Sequence, residues 1–332
     1  MMSFRNHPPP APVAMPITPR DDAYHDLKGL ADTEWWYFDV VLENGDSVTV
    51  GIRTFHMRRS GMAQARCTYY KQNKVLAEGI KTSWLSEFQA SSEEPRVVMN
   101  GETLIRFDSD HYQKTGEWRY HVTLAVKRQK VDLVFTGITP GWKMETMRNS
   151  WVVPLPKAHV EGTVTVDGTE QRVRGIGYHD HNWDYPFFTT WLRSSGWYWG
   201  RVIGEQATAI WAKTTDSLQR SQLILVVNQL GPEGRYFTVP PEHIMISAER
   251  FEPRGGQRIP TQFVLSASDP GNPDFSMDIR MTADQIQHNR IFTAHYWRYH
   301  AKSKGMISLR GRRESFDDHT QILERLMFRR MQ

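Results

Sequence analysis

Two stretches of this 332-residue chain leave few folds open, because each is a pair of β-rich runs joined by a turn dipeptide. Glu34–Leu42 and Ser47–Phe55 flank Asn44-Gly45, and Val160–Val166 and Gln171–Gly177 flank Asp167-Gly168. Asn-Gly and Asp-Gly between alternating apolar residues mark hairpins, since these residue types tolerate the positive φ that the turn demands. Further strands are expected over Ala65–Gln72, Lys74–Trp84, Arg96–Phe107, Trp118–Lys127 and Val131–Gly137. The second half reads the same way, with strands over Trp197–Ile203, Ala207–Thr214, Gln222–Gln229, His243–Phe251, Gln262–Ala267, Ser276–Met281 and Thr293–Ser303. A helical period shows only in Thr282–Gln287 and within Asp318–Met331. Strands with turns this closely spaced indicate an all-β barrel or sandwich.

At roughly 150 residues per domain the length allows two domains. Each half opens with an aromatic strand, a turn and a second strand: Trp35-Trp36-Tyr37-Phe38 before Ser47–Ile52, and Trp197-Tyr198-Trp199-Gly200 before Ala207–Trp211. Expected units are therefore an extended or disordered Pro-rich lead-in (1–30), a first barrel (31–184) and a second (185–332), divided near Pro186 and Ser194-Ser195-Gly196. No secretory apolar core opens the chain and no run of about 18 apolar residues occurs. Cytoplasmic residence without an integral membrane segment is the expectation. The single Cys67 cannot form an internal disulfide, and it reads as a small buried residue. A net charge of +4 with no nucleic-acid motif makes Arg310–Arg313 and Arg325–Arg330 solvated faces, and nucleic acid is not an expected partner. Phosphate-binding glycine loops, a Gly-x-Ser-x-Gly elbow and His-Glu-x-x-His are missing, which disfavours nucleotide cofactors and serine hydrolysis.

The chemistry concentrates in Tyr178-His179-Asp180-His181-Asn182-Trp183. On a strand, His179 and His181 share one face while Asp180 and Asn182 share the other. Three readings stand open: a His-x-His metal site lacking an obvious third ligand, a structural polar network at a junction, and general acid–base catalysis facing a cavity. Glu34 heads an aromatic strand, where it either holds a raised pKa as a proton donor or pairs with a cation such as Arg53. In Thr293–His300, alternation sets His295, Trp297 and Tyr299 against Tyr296, Arg298 and His300, one face being the barrel interior. The 12 Trp make an apolar ligand wall plausible where they cluster.

These residues resemble the AttH-like and hydroxyneurosporene synthase (carotenoid hydratase) superfamily. The resemblance rests on Glu34-Trp-Trp-Tyr-Phe38, Gly177-Tyr-His-Asp-His-Asn-Trp183, Trp197-Tyr-Trp-Gly-Arg201, Tyr296-Trp297, Leu323-Glu324 and Met327-Phe328, and spans roughly Ala31 to Met331. It implies two tandem lipocalin-like antiparallel β-barrels. The superfamily includes carotenoid hydratases, a fungal hydratase of plant phenolics and fungal decalin-forming Diels–Alderases, none needing a redox cofactor. By resemblance the chain is expected to be a cofactor-independent hydratase or cyclase acting on an unsaturated apolar molecule, with no metal; the alternative is a non-catalytic carrier using the same cavity. Expected catalytic residues are Asp180, Glu34, His179 and His181. Expected substrate contacts are Trp35, Trp36, Tyr178, Asn182, Trp183, Trp197, Trp199, Arg201, His295 and Trp297. Where the family often carries Gly after Asn-Trp, this chain has Asp184.

Overall fold

The computed structural model describes residues 12–27, 29–58, 60–146, 150–230, 234–291 and 294–328. The fold is all-β: a 12-stranded sheet, rolled into a nearly closed barrel, and a nine-stranded sheet, rolled about halfway. Every strand pair is antiparallel. The Asp167-Gly168 turn has φ of 51° and 81°, the doubly left-handed geometry that matches strand twist. It joins the long strands Ser150–Val166 and Thr169–Pro186. Gly45, at φ 83°, serves the first hairpin.

Both sheets follow one plan. In each, the opening strand (Leu30–Leu42 or Ser194–Ile203) lies between the second strand of its half and the last one (Thr169–Pro186 or Arg312–Met327). The echo of aromatic openings in the sequence thus coincides with a shared topology. The two-turn helix Phe187–Arg193 connects the two sheets.

Two sequence expectations are corrected. Thr282–Gln287 lies within the strand Ser276–Ile291, and the described part of Asp318–Met331 is mostly in the strand Arg312–Met327. Sheet pairing overrides a weak local helical period. Residues 329–331 of that segment lie outside the described residues, as do Phe292, Thr293 and residues 1–11 and 28 of the lead-in. The described lead-in is tied down: Met15 bridges Lys143, and Pro19–Asp22 forms a short 3-10 helix whose last residue, Asp22, is fully buried.

Three apolar cores hold the molecule. One fills the first barrel, around Phe38, Val50, Leu133 and Phe135. A second fills the half-barrel, around Trp211, Phe263, Trp297 and Tyr299. The third lies between the sheets and is aromatic: Tyr37, Trp142, Trp151, Tyr178 and Trp199, with Ile210 and Ile224. Each large apolar side chain so buried contributes about 1.5–3 kcal/mol. Polar ties cross the same seam: Arg201 pairs with Asp39, Arg298 donates to Thr49 Oγ1 at 2.8 Å, and His300 Nε2 meets Ser47 Oγ at 2.8 Å. Among the described residues no helix is long and apolar enough to cross a membrane.

Candidate active site

The strand Thr169–Pro186 presents two chemistries because its side chains alternate. It lies between Leu30–Leu42 and Ser150–Val166, in a register that sets Trp36 opposite His181, Tyr37 opposite Asp180 and Phe38 opposite His179. Gly177 permits this packing: a Cβ there would meet Val160 Cγ2 at 2.5 Å and Phe135 Cε1 at 2.7 Å.

His179 and His181 point into the first barrel and are fully buried. His179 Nδ1 donates to the Tyr37 carbonyl at 2.9 Å, and its Nε2 lies 3.0 Å from Asp22 Oδ2, which also accepts from Tyr120 Oη at 2.7 Å. His181 bridges two carboxylates, with Nδ1 3.2 Å from Asp22 Oδ1 and Nε2 2.9 Å from Glu34 Oε1. Burial alone would lower the His181 pKa, but the bonds to Asp22 and Glu34 outweigh it and push it up to about 9. Burial would likewise raise Asp22 and Glu34. His179 and His181 instead hold Asp22 well below the usual carboxylate range, and His181 with His25 lowers Glu34. Aromatic rings clamp the cluster: Phe38 stacks on His179 at 3.7 Å, Trp36 on His181 at 4.4 Å, and Trp183 on His25 at 3.7 Å. His25, Glu34 and His181 each offer one ligand atom within 4.8 Å of the others, so this is where a metal could be held. The hydrogen bonds onto Glu34 Oε1 account for the same geometry.

Asp180 and Asn182 face the other way, onto a cavity of about 230 Å³ between the two sheets. Its wall combines Trp35, Tyr37, Trp151, Tyr185, Trp197 and Trp199 with Gly51, Ile224 and Leu326. Asp180 Oδ2 accepts from Tyr178 Oη at 2.8 Å and Trp151 Nε1 at 3.0 Å. Burial pushes the Asp180 carboxyl up to about 8; those two hydrogen bonds oppose the rise, and Glu324 and Asp39 add to it. The opposite wall carries a second polar group, in which Arg298 holds Glu324 at 2.7 Å and Tyr296 donates to the same carboxylate.

Of the expected site residues, Asp180, Asn182, Trp35, Trp36, Trp197 and Trp199 line the cavity together. Glu34, His179 and His181 form the buried cluster on the opposite face of the same sheet, and the partners of Glu34 are His25 and His181 rather than Arg53. Tyr178 and Arg201 stand behind the cavity wall, with Arg201 over the Tyr178 ring. Trp183 covers His25. His295 and Trp297 turn away from the cavity. Trp297 is fully buried in the half-barrel core, and the rings of His288 and His295 both pack on it and on each other. The other face of their strand supplies Tyr296 and Arg298 to the cavity. The half-barrel interior is packed by its own aromatics, and the cavity that Asp180 faces lies between the sheets. The sequence reading missed Asp22, His25, Tyr37, Arg53, Arg66, Tyr296, Arg298 and Glu324 as cavity or cluster residues. Strand alternation offered a signal for Tyr296 and Arg298; Asp22 sits in a Pro-rich segment that offers none.

No family model matches the chain. Over 71 residues it is 34% identical to the hydroxyneurosporene dehydrogenase of Chlorobaculum tepidum; this match covers 19% of the chain and only 18% of that curated relative. A solved structure from Nitrosomonas europaea, described as an AttH, superposes with a TM-score of 0.67 over 95% of this chain and 97% of the other, at 13% identity. The chain has the AttH-like fold. That fold is shared with kievitone hydratase from Nectria haematococca (TM-score 0.57, 11% identity, 94% and 92% covered). It is shared also with CghA, solved with Sch210972 (TM-score 0.57, 12% identity, 90% and 88% covered).

Proposed function

We propose that this AttH-like protein is a cofactor-independent hydratase- or cyclase-type enzyme for an unsaturated, largely apolar small molecule, with Asp180 as its proton donor. One observation carries the reading: a buried carboxyl with its pKa near 8 opens on an indole-lined cavity. A carboxyl so shifted is mostly protonated at neutral pH, which is the state a general acid needs. In hydration, the proton of Asp180 goes to one alkene carbon and the π pair becomes the new C–H bond. Water then bonds to the neighbouring cationic carbon and returns a proton to the Asp180 carboxylate. Faces of Trp35, Trp197 and Trp199 would steady the cation by about 0.5–2 kcal/mol per ring. In cyclisation the same walls hold the reacting ends in contact. Glu34, His179 and His181 act here as positioning residues that pin the strand carrying Asp180. Kievitone hydratase, by its name, hydrates kievitone, and its shared fold supports the reading.

The test compares, by mass spectrometry, the small molecules carried by wild-type and Asp180→Asn protein purified from the native host. Product on the wild type and its precursor on the variant supports the proposal. The same unconverted molecule on both defeats it and leaves a carrier.

A further inference from the structure

Arg53 belongs to the strand Ser47–Met57, whose Val48, Val50 and Ile52 fill the barrel while Thr49, Gly51, Arg53 and Phe55 line the cavity. Among the described residues its guanidinium makes no hydrogen bond and no ion pair; it lies over the Phe55 ring, 5.4 Å from the centroid. The carboxylates around it are taken. Glu78 is held by Arg66, Glu324 by Arg298 and Tyr296, and Glu34 by the two histidines, while Asp180 is occupied by Tyr178 and Trp151. Burial, with repulsion from the like-charged Arg66 and against the influence of Tyr296, brings Arg53 down to about 10, still cationic at neutral pH. A half-buried cation without a partner is costly, and an uncharged guest that expelled the remaining water would make it more so.

We infer that the cavity takes an amphipathic acid, whose carboxylate-class oxyanion sits on Arg53 while its unsaturated apolar body lies along the indole wall toward Asp180. The inference rests on the cavity reading above and narrows its substrate class. A planar guanidinium suits such an anion because it offers paired parallel donors. Register fixes the spacing: Arg53 pairs with Trp35 and Trp35 with Asn182, two residues from Asp180. Two strand spacings and a two-residue offset along the strand set the Arg53 and Asp180 Cα atoms roughly 12 Å apart, so the reacting double bond is remote from the charged end.

The experiment titrates the full chain with cis-parinaric acid and with its methyl ester, following polyene fluorescence, in wild type, Arg53→Gln and Arg53→Lys. Wild type should bind the acid about tenfold or more tightly than the ester. Arg53→Gln should bring the acid down to the level of the ester while leaving the ester unchanged, which also reports that the variant is folded. Arg53→Lys should keep a preference for the acid. Equal binding of acid and ester by wild type, which needs no variant, overturns the anion site and leaves the cavity intact. Unchanged acid binding in Arg53→Gln does the same. Binding of neither probe overturns both. Turnover is not read, so a failure of the catalytic proposal remains distinguishable.

Discussion

Replacing Asp180 by Asn should change how stability depends on pH in a way that only a protonated buried acid explains. The unfolded chain releases this proton near pH 3.9, an ordinary Asp value. The folded chain releases it near 8. Between these values the folded state binds a proton that the unfolded state lacks, so unfolding free energy falls as pH rises. The contribution is most favourable below about pH 4 and is lost progressively up to about pH 8, at roughly 1.4 kcal/mol per pH unit. From about pH 5 to pH 7 the wild type should therefore lose about 3 kcal/mol that Asp180→Asn does not lose. Asn keeps the shape, and its carbonyl still accepts from Tyr178 Oη and Trp151 Nε1. Urea unfolding of both proteins at a series of pH values measures the difference, with equal m-values as the control. A difference that stays flat within about 1 kcal/mol across that range means that Asp180 is ionised in the fold, and the argument for a proton donor fails.

Asp22→Ala should cost about 3–5 kcal/mol in chemical denaturation, since it strips His179, His181 and Tyr120 of a shared buried acceptor. In the Asp180→Asn background the buried cluster should set both flanks of a pH–Tm profile. The His181 contribution is whole below about pH 6.5 and is lost as pH rises through about 9, whereas those of Asp22 and Glu34 are lost as pH falls below the ordinary carboxylate range. A profile flat through both flanks would contradict the ion-pair assignment. Gly51→Leu should abolish cis-parinaric methyl ester binding with a stability change of about 1 kcal/mol or less, because a Cβ at Gly51 meets no heavy atom within 4 Å and opens onto the cavity. Undiminished binding would place the ligand elsewhere.

The strand framework was legible because hairpin chemistry is local. Asp167-Gly168 announces the left-handed turn that joins two long strands, and strand alternation alone separates the imidazoles of His179 and His181 from Asp180 and Asn182. What lies on each side was not legible. That depends on how the sheets curl: an apolar cluster fills the interior of each, and the cavity that Asp180 faces lies between them. Hence Trp297, which sequence reasoning set on a cavity wall, fills the core, and its neighbours Tyr296 and Arg298 face the cavity. Asp22 was invisible for a different reason. Its partner His179 is 157 residues away, and no local pattern encodes a contact of that range. Thr282–Gln287 shows the converse failure, a local helical period overruled by pairing with the strand Ala294–Leu309.

The proposed chemistry requires a proton held at Asp180 at neutral pH. Infrared difference spectroscopy of wild type against Asp180→Asn measures it directly, through the carbonyl stretch of a protonated carboxylic acid. The band should be present at about pH 6 and titrate away with a midpoint near 8. Only the carboxylate bands of an ionised Asp180 at about pH 6 would contradict the account.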